Sequence, residues 1–266
     1  MNVPHSPASS PPPQTLAGRR FLITGASRGI GRATAIRLAE HGGDVAINFL
    51  QSVDAAKQVA RQIDAMGRRV VLVRADVSNP DDVTAMVETA AETLDGLDGI
   101  ISNAAAGGFR PLGETSIVNL EATLRCNALP VVGLANAAMP YLSSGEHHGK
   151  VVAVSSHGSR WSVPNYGAIG ASKATLESLM RHLALEYGDR GVNFNVVLSG
   201  MIATDAVATM PGMRDTLAAS QSRMMTGDRP LTENDVAGVI AFLCSPDSDL
   251  IQAQTVVVDG GVSVRV

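Results

Sequence analysis

Short apolar runs alternate with longer stretches of helical period along almost the whole chain. The runs Phe21–Thr24, Val45–Phe49, Val70–Arg74, Gly99–Ser102, Val151–Ser155, Asn193–Leu198 and Thr255–Val258 are near-continuous in Val, Ile and Leu rather than alternating. That texture suits strands covered on both faces, as in a parallel sheet. Ile30–Glu40, Asp54–Ala65, Pro80–Leu94, Ile117–Met139, Tyr166–Tyr187 and Glu233–Cys244 carry helical spacing instead. Six crossovers joining seven strands predict one α/β domain, a Rossmann-like doubly wound parallel sheet with helices on both faces.

Two segments break this rhythm. Residues 1–17 are rich in Pro and Ser with almost nothing to bury, so they are expected to form a flexible tail before a domain spanning 18–266. Residues 199–232 hold Met201, Met210, Met213, Met224 and Met225, half of the ten methionines. Methionine adapts to irregular apolar surfaces. Open α/β sheets bind ligands beyond the carboxyl ends of their strands, where this segment begins. It is expected to be a lid over an apolar substrate; the alternative is a loosely packed surface helix pair.

Composition narrows the class. A chain of 266 residues that is 45% hydrophobic can fill a sizeable core, and a net charge of −4 argues against a nucleic-acid binder. Cys126 and Cys244 make no disulfide framework, and no His/Cys spacing suggests a metal site. No apolar run approaches the roughly 18 residues of a membrane span. The N-terminus lacks the basic and apolar regions of a secretory signal. The expectation is a soluble, reduced, cytoplasmic protein.

The first strand runs into Thr24-Gly25-Ala26-Ser27-Arg28-Gly29-Ile30-Gly31 and then a helix. Glycines here permit a tight turn and a close approach of backbone N–H groups to a pyrophosphate, and the helix adds its positive N-terminal dipole. Gly25, Ser27, Arg28, Gly29, Ile30 and Gly31 are therefore candidate cofactor contacts. The second strand ends Ile47-Asn48-Phe49-Leu50-Gln51, without the carboxylate that would bind the 2′-hydroxyl of NAD. Asn48 is a further candidate contact, and Arg28 can reach a 2′-phosphate as a charged partner.

The spacing T-G-x3-G-x-G resembles the short-chain dehydrogenase/reductase family. So do Asp76-Val77, Asn103-Ala104-Ala105 and Asp259-Gly260-Gly261, and the resemblance covers the chain from Arg20 to its end. It implies that Asp76 and Val77 sit by the adenine, that Asn103 and Ala104 line the cofactor site, and that the cofactor is NADPH rather than NADH. Ser199-Gly200 stands where the family has Pro-Gly, with Gly200 a further candidate cofactor contact; Ile202 and Thr204 fit the family's contacts to the carboxamide. Asn127 matches a family asparagine that shapes the site through a helix irregularity. Relatives are commonly homotetramers.

Most of the family carries Y-x3-K, a proton-donating tyrosine and a lysine on the nicotinamide ribose. Here Ile169 stands four residues before Lys173, and Tyr166 seven before. Positions i and i+7 share a helix face. The change moves the hydroxyl by roughly 4.5 Å along the axis if the segment is helical throughout. Ketone reduction develops charge on the atom next to the carbon that receives hydride. Reduction of an α,β-unsaturated thioester at its β-carbon develops charge on a carbonyl oxygen two carbons further away, which needs a more distant donor. This spacing, with Ser155-Ser156-x-Gly158-Ser159, is similar to the type III NADPH-dependent enoyl-acyl-carrier-protein reductases of bacterial fatty acid synthesis. That resemblance makes Tyr166 the enolate stabiliser and Lys173 the ribose ligand. Ser155 and Ser156 are candidates to touch substrate or tyrosine. His157 reads as a loop residue, and Trp161 as either a pocket wall or core filler.

The function expected is NADPH-dependent reduction of a trans-2-enoyl thioester on acyl carrier protein or coenzyme A. A basic rim of Arg110, Arg160, Arg214, Arg223 or Arg229 would favour the acidic carrier protein. The alternatives are a carbonyl reductase of secondary metabolism and a catalytically silent NADPH-binding sensor.

Overall fold

The computed structural model describes residues 14–143, 147–203, 213–227 and 229–265. The strands are β1 (Arg20–Ile23), β2 (Asp44–Phe49), β3 (Val70–Arg74), β4 (Gly99–Ser102), β5 (Gly149–Ser156), β6 (Val192–Ser199) and β7 (Thr255–Val258). They form one parallel seven-stranded sheet in the order β3-β2-β1-β4-β5-β6-β7. The order reverses between β1 and β4, which leaves a crevice at their carboxyl ends. The helices are α1 (Gly29–Glu40), α2 (Val53–Asp64), α3 (Pro80–Leu94), α4 (Ile117–Asn127), α5 (Pro130–Leu142), α6 (Gly167–Tyr187), α7 (Met213–Ser222) and α8 (Glu233–Leu243).

Two cores cover the two faces. On one, Leu38, Ile63 and Ile240 bring α1, α2 and α8 against Phe21, Ile47 and Val197. On the other, Met86, Leu134 and Leu176 bring α3, α5 and α6 against Leu22, Ile100 and Val151. This double coverage is why the strands read as continuous apolar runs. Local chemistry fixes helix starts: Asn79 caps α3 through the Asp81 N–H, followed by Pro80, and Thr232 with Asp235 forms a capping box on α8. Arg229 donates two hydrogen bonds to the Asp235 carboxylate and, with the Thr232 donors, holds it at about 2 against the opposing effect of burial.

Three expectations change. Leu16, placed in the tail, is fully buried in the α1-side core, and its N–H donates to the His41 carbonyl. The large apolar residue at the end of that stretch is thus part of the fold. The expected helix Ile117–Met139 divides into α4 and α5: Pro130, without an N–H, starts the second, and Asn127 is drawn off by bonds to other segments. Tyr166 is not inside α6 but caps it, with φ −108° and ψ 4°. Its carbonyl still accepts the first helical bond, from Gly170, so the axial offset from Lys173 is nearly that of a continuous helix.

Candidate active site

The turn after β1 is assembled from main chain and small side chains. Gly25 and Gly29 have φ of +64° and +56°, a left-handed region open to glycine at little cost. A β-carbon on Gly31 would lie 2.5 Å from both Asn103 Nδ2 and the Gly25 oxygen. The Thr24 hydroxyl accepts from the Asn103 and Ala104 N–H groups at 2.9 and 3.0 Å, and Asn103 Nδ2 donates to the Thr24 and Gly25 carbonyls. Arg28, exposed, is the N-cap of α1 but makes no side-chain cap, and no acid lies in the first turn. The first N–H groups of α1 are free of a capping side chain, and beside them Gly25 and Gly31 have no room for a β-carbon. This cradle fits the pyrophosphate of a dinucleotide.

Around it, the remaining cofactor candidates divide. Asp76 Oδ1 accepts from the Ser78 N–H and hydroxyl at 2.9 and 2.7 Å, which fixes the turn after β3, and Val77 is buried beneath it. Asn48 turns its side chain into the protein. It is 2% exposed; its Oδ1 accepts from the Gly25 N–H, and its Nδ2 donates to the Val73 and Ala75 carbonyls. Asn48 stitches three segments together, so its side-chain amide is spent within the protein. Ser27 and Ile30 are half-buried in the turn. Gly200 packs so closely that a β-carbon would lie 2.9 Å from Asp259 Cβ, Ile202 is buried, and Thr204 lies outside the described residues. The sequence pattern does not single out Arg74, yet its Nε donates to the Leu50 carbonyl and brings a guanidinium to the end of β2. Only the pairing of β2 with β3, which ends Phe49 opposite Arg74, could have found it.

At the carboxyl end of β5, Ser156 Oγ and Tyr166 Oη are 3.0 Å apart. The Phe109 ring stands 5.4 Å from the Tyr166 ring. Gly158 leaves the space the phenol occupies, since a β-carbon there would meet the ring. Burial raises the Tyr166 hydroxyl above its usual range, and the Ser156 bond only partly opposes this, so the group stays a phenol with a proton to give. Lys173, 6% exposed, donates to the Val154 carbonyl at 2.8 Å, and burial pulls its ammonium down to about 8. Ile169 is buried, with its side chain against Gly107. Asn127 Oδ1 accepts from the Ala106 N–H at 2.8 Å and its Nδ2 donates to Ser172 Oγ at 3.0 Å, linking the loop after β4 to α6.

The other candidates separate as well. Ser155 does not reach Tyr166; its hydroxyl donates to Glu177 Oε1 at 2.6 Å. His157 pairs with Asp259 at 3.0 Å and stacks on Trp161 at 4.2 Å. Burial lowers His157, while Asp259 is held below its usual range despite burial by the Ser263 hydroxyl and the Gly261 and Ser263 N–H groups. Trp161 is 37% exposed and so is not core filler. Met224 and Met225 pack on the Gly260-Gly261 turn, joining the end of the 199–232 segment to the C-terminus. Residues 204–212 of that segment, including Met210, lie outside the described residues. Of the suggested basic rim, Arg160 leans on Glu177, Arg223 on the Val262 and Arg265 carbonyls, and Arg229 on Asp235. Arg110 lines a cavity of about 330 Å³ with Gly107, Asn119, Thr123 and Ala168. A larger cavity of about 410 Å³ lies at the amino ends of the strands, by Arg20 and Tyr141, away from this chemistry.

A family model described as Enoyl-(Acyl carrier protein) reductase matches residues 25–263. The chain belongs to the short-chain dehydrogenase/reductase family. This family member is 37% identical to 1-cyclohexenylcarbonyl-CoA reductase of Streptomyces collinus, over 99% of this chain and 92% of that protein. It is 34% identical to L-rhamnose 1-dehydrogenase (NAD(P)(+)) of Sphingomonas sp. (strain SKA58), over 94% and 98%. A short chain dehydrogenase from Burkholderia cenocepacia J2315, solved in complex with NADP, superposes with a TM-score of 0.84 at 34% identity, covering 94% of this chain and 99% of that one. The short-chain dehydrogenase/reductase described here is an NAD(P)-binding oxidoreductase. Among its described residues, no helix is long and apolar enough to cross a membrane.

Proposed function

We propose that the protein reduces the carbon–carbon double bond of a trans-2-enoyl thioester with NADPH. The observation that carries this reading is the position of Tyr166. Its phenol sits beside Ser156 at the head of α6, seven residues before Lys173, while the nearer position is filled by the buried, protonless Ile169. The match to a family model described as an enoyl reductase and the similarity to an enoyl-type CoA reductase support it.

The glycine turn and the start of α1 would hold the pyrophosphate, and Lys173 the nicotinamide ribose hydroxyls. Arg28, with Arg74 at the neighbouring strand end, supports a 2′-phosphate, because β2 ends without an acid that would repel it. When bound, the reduced nicotinamide supplies the hydride equivalent. Tyr166 donates its hydrogen bond to the thioester oxygen as charge develops there, and the Ser156 hydroxyl fixes the phenol's direction. The resulting enolate takes a proton at its α-carbon to give the saturated acyl group. Arg110, at the mouth of the adjoining cavity, suits an anionic carrier, whether coenzyme A or an acyl carrier protein. Placement in fatty acid synthesis, a cytoplasmic location and a homotetrameric assembly belong to the same proposal.

The similarity to L-rhamnose 1-dehydrogenase favours a second reading, carbonyl reduction with the same cofactor site. NADPH oxidation with crotonyl and acetoacetyl thioesters, each product weighed by mass spectrometry, separates the two. Butyryl product from crotonyl alone is expected; hydroxybutyryl product from acetoacetyl alone would replace the first reading with the second.

A further inference from the structure

Glu177 is a buried acid that the chemistry above does not use. It follows Lys173 by four residues on α6, so both side chains leave the same helix face. It is 5% exposed, and an isolated carboxylate in that position would be costly. Three donors compensate: Ser155 Oγ on Oε1 at 2.6 Å, and Arg160 Nη2 and Thr255 Oγ1 on Oε2, each at 3.5 Å. The Ser155 bond ties the acid to the end of β5, beside Val154, whose carbonyl receives the Lys173 ammonium.

We propose that Glu177 is a positioning residue for Lys173: its carboxylate, clamped by Ser155, keeps the lysine protonated and directed along β5 toward the cofactor ribose. Burial works against that ammonium, and the groups facing it are few. From α4 comes Cys126, a neutral thiol at neutral pH because burial pushes it up, and from β5 the Val154 carbonyl. Of the two described side chains that raise Lys173, Cys126 and Glu177, Glu177 is the carboxylate, and Arg160, half-exposed, partly neutralises it from outside. The inference rests on Lys173 as a ribose ligand and is independent of the acyl substrate.

The test is NADPH binding to the full chain, followed by cofactor fluorescence across pH without thioester. Wild-type affinity is expected to fall as pH rises through about 8, where the ammonium is lost. Glu177→Gln keeps an acceptor for Ser155 but removes the charge. It should move that midpoint down by about one pH unit, giving roughly fivefold weaker binding near pH 8 and little change near pH 6. Arg160→Gln, at a half-exposed site, should move the midpoint up. A Glu177→Gln loss that is equal at every pH, or no loss, overturns the proposal. If that variant does not fold, a downward or absent shift in Arg160→Gln overturns it instead. A wild-type chain that fails to bind NADPH would overturn the ribose role of Lys173 and this proposal with it, while leaving the enoyl question to the product assay.

Discussion

The turn after β1 and the head of α6 both lie at the carboxyl ends of the strands, but they are built from different materials. The first is main chain: three glycines, the Thr24 hydroxyl on two N–H groups, and Asn48 and Asn103 spending their amides on carbonyls. The second is side chains held by side chains: Tyr166 by Ser156, Ser155 by Glu177, Asn127 by Ser172. Backbone can recognise a phosphate, which every dinucleotide carries, and needs only room. Positioned protons need titratable groups whose burial and partners set their state. Substitutions should divide accordingly: steric changes in the turn should act on cofactor affinity, and chemical changes at the Tyr166–Ser156 pair on turnover.

The largest effect expected is at Tyr166. Tyr166→Phe removes the donor to the developing oxyanion and should lower kcat by about 10²–10³-fold, with the NADPH dissociation constant unchanged within about twofold. Steady-state rates beside cofactor titration check this; comparable losses in both would erase the division. Next, Gly31→Ala sets a β-carbon against Asn103 and the Gly25 oxygen. Overpacking of about 1–3 kcal/mol at the cradle should weaken NADPH binding roughly tenfold or more, while kcat at saturating cofactor changes little. The smallest effects distinguish neighbours. Ser156→Ala loses one hydrogen bond to the phenol and should lower kcat about three- to tenfold. Ser155→Ala should leave kcat nearly intact and act through Glu177 on NADPH binding above neutral pH. If Ser155 proved the more damaging of the two to kcat, the assignment by distance would be reversed.

The same division decided what could be read from the sequence. The sheet, its strands and the glycine turn were legible because burial on two faces and close backbone approach restrict residue type at every position, as at Val151–Ser155 or Gly31. The break between α4 and α5 was not placed by spacing, because the apolar pattern runs on through Pro130; the resemblance implied an irregularity at Asn127, and its bonds to Ala106 and Ser172 with the start of α5 at Pro130 locate it. Ser155 and Ser156 are indistinguishable in sequence; strand alternation sends one toward Glu177 and the other toward Tyr166. Asn48 looked like a contact because of its place at a strand end, where its amide instead closes three backbone gaps. Arg74 and Glu177 carry no motif at all. Their neighbours come from strand pairing and from the packing of α6 on β5, which spacing along the chain does not encode.

On the proposed function, the Tyr166 phenol serves an enolate oxygen two carbons beyond the carbon that is reduced. Crotonyl thioester incubated with NADPH deuterated at nicotinamide C4 tests it most directly, with the label located by NMR and mass spectrometry. The account predicts butyryl thioester carrying one deuterium at C3 and a solvent-derived proton at C2. Untouched crotonyl thioester, with acetoacetyl thioester converted to 3-hydroxybutyryl deuterated at its carbinol carbon, would contradict it.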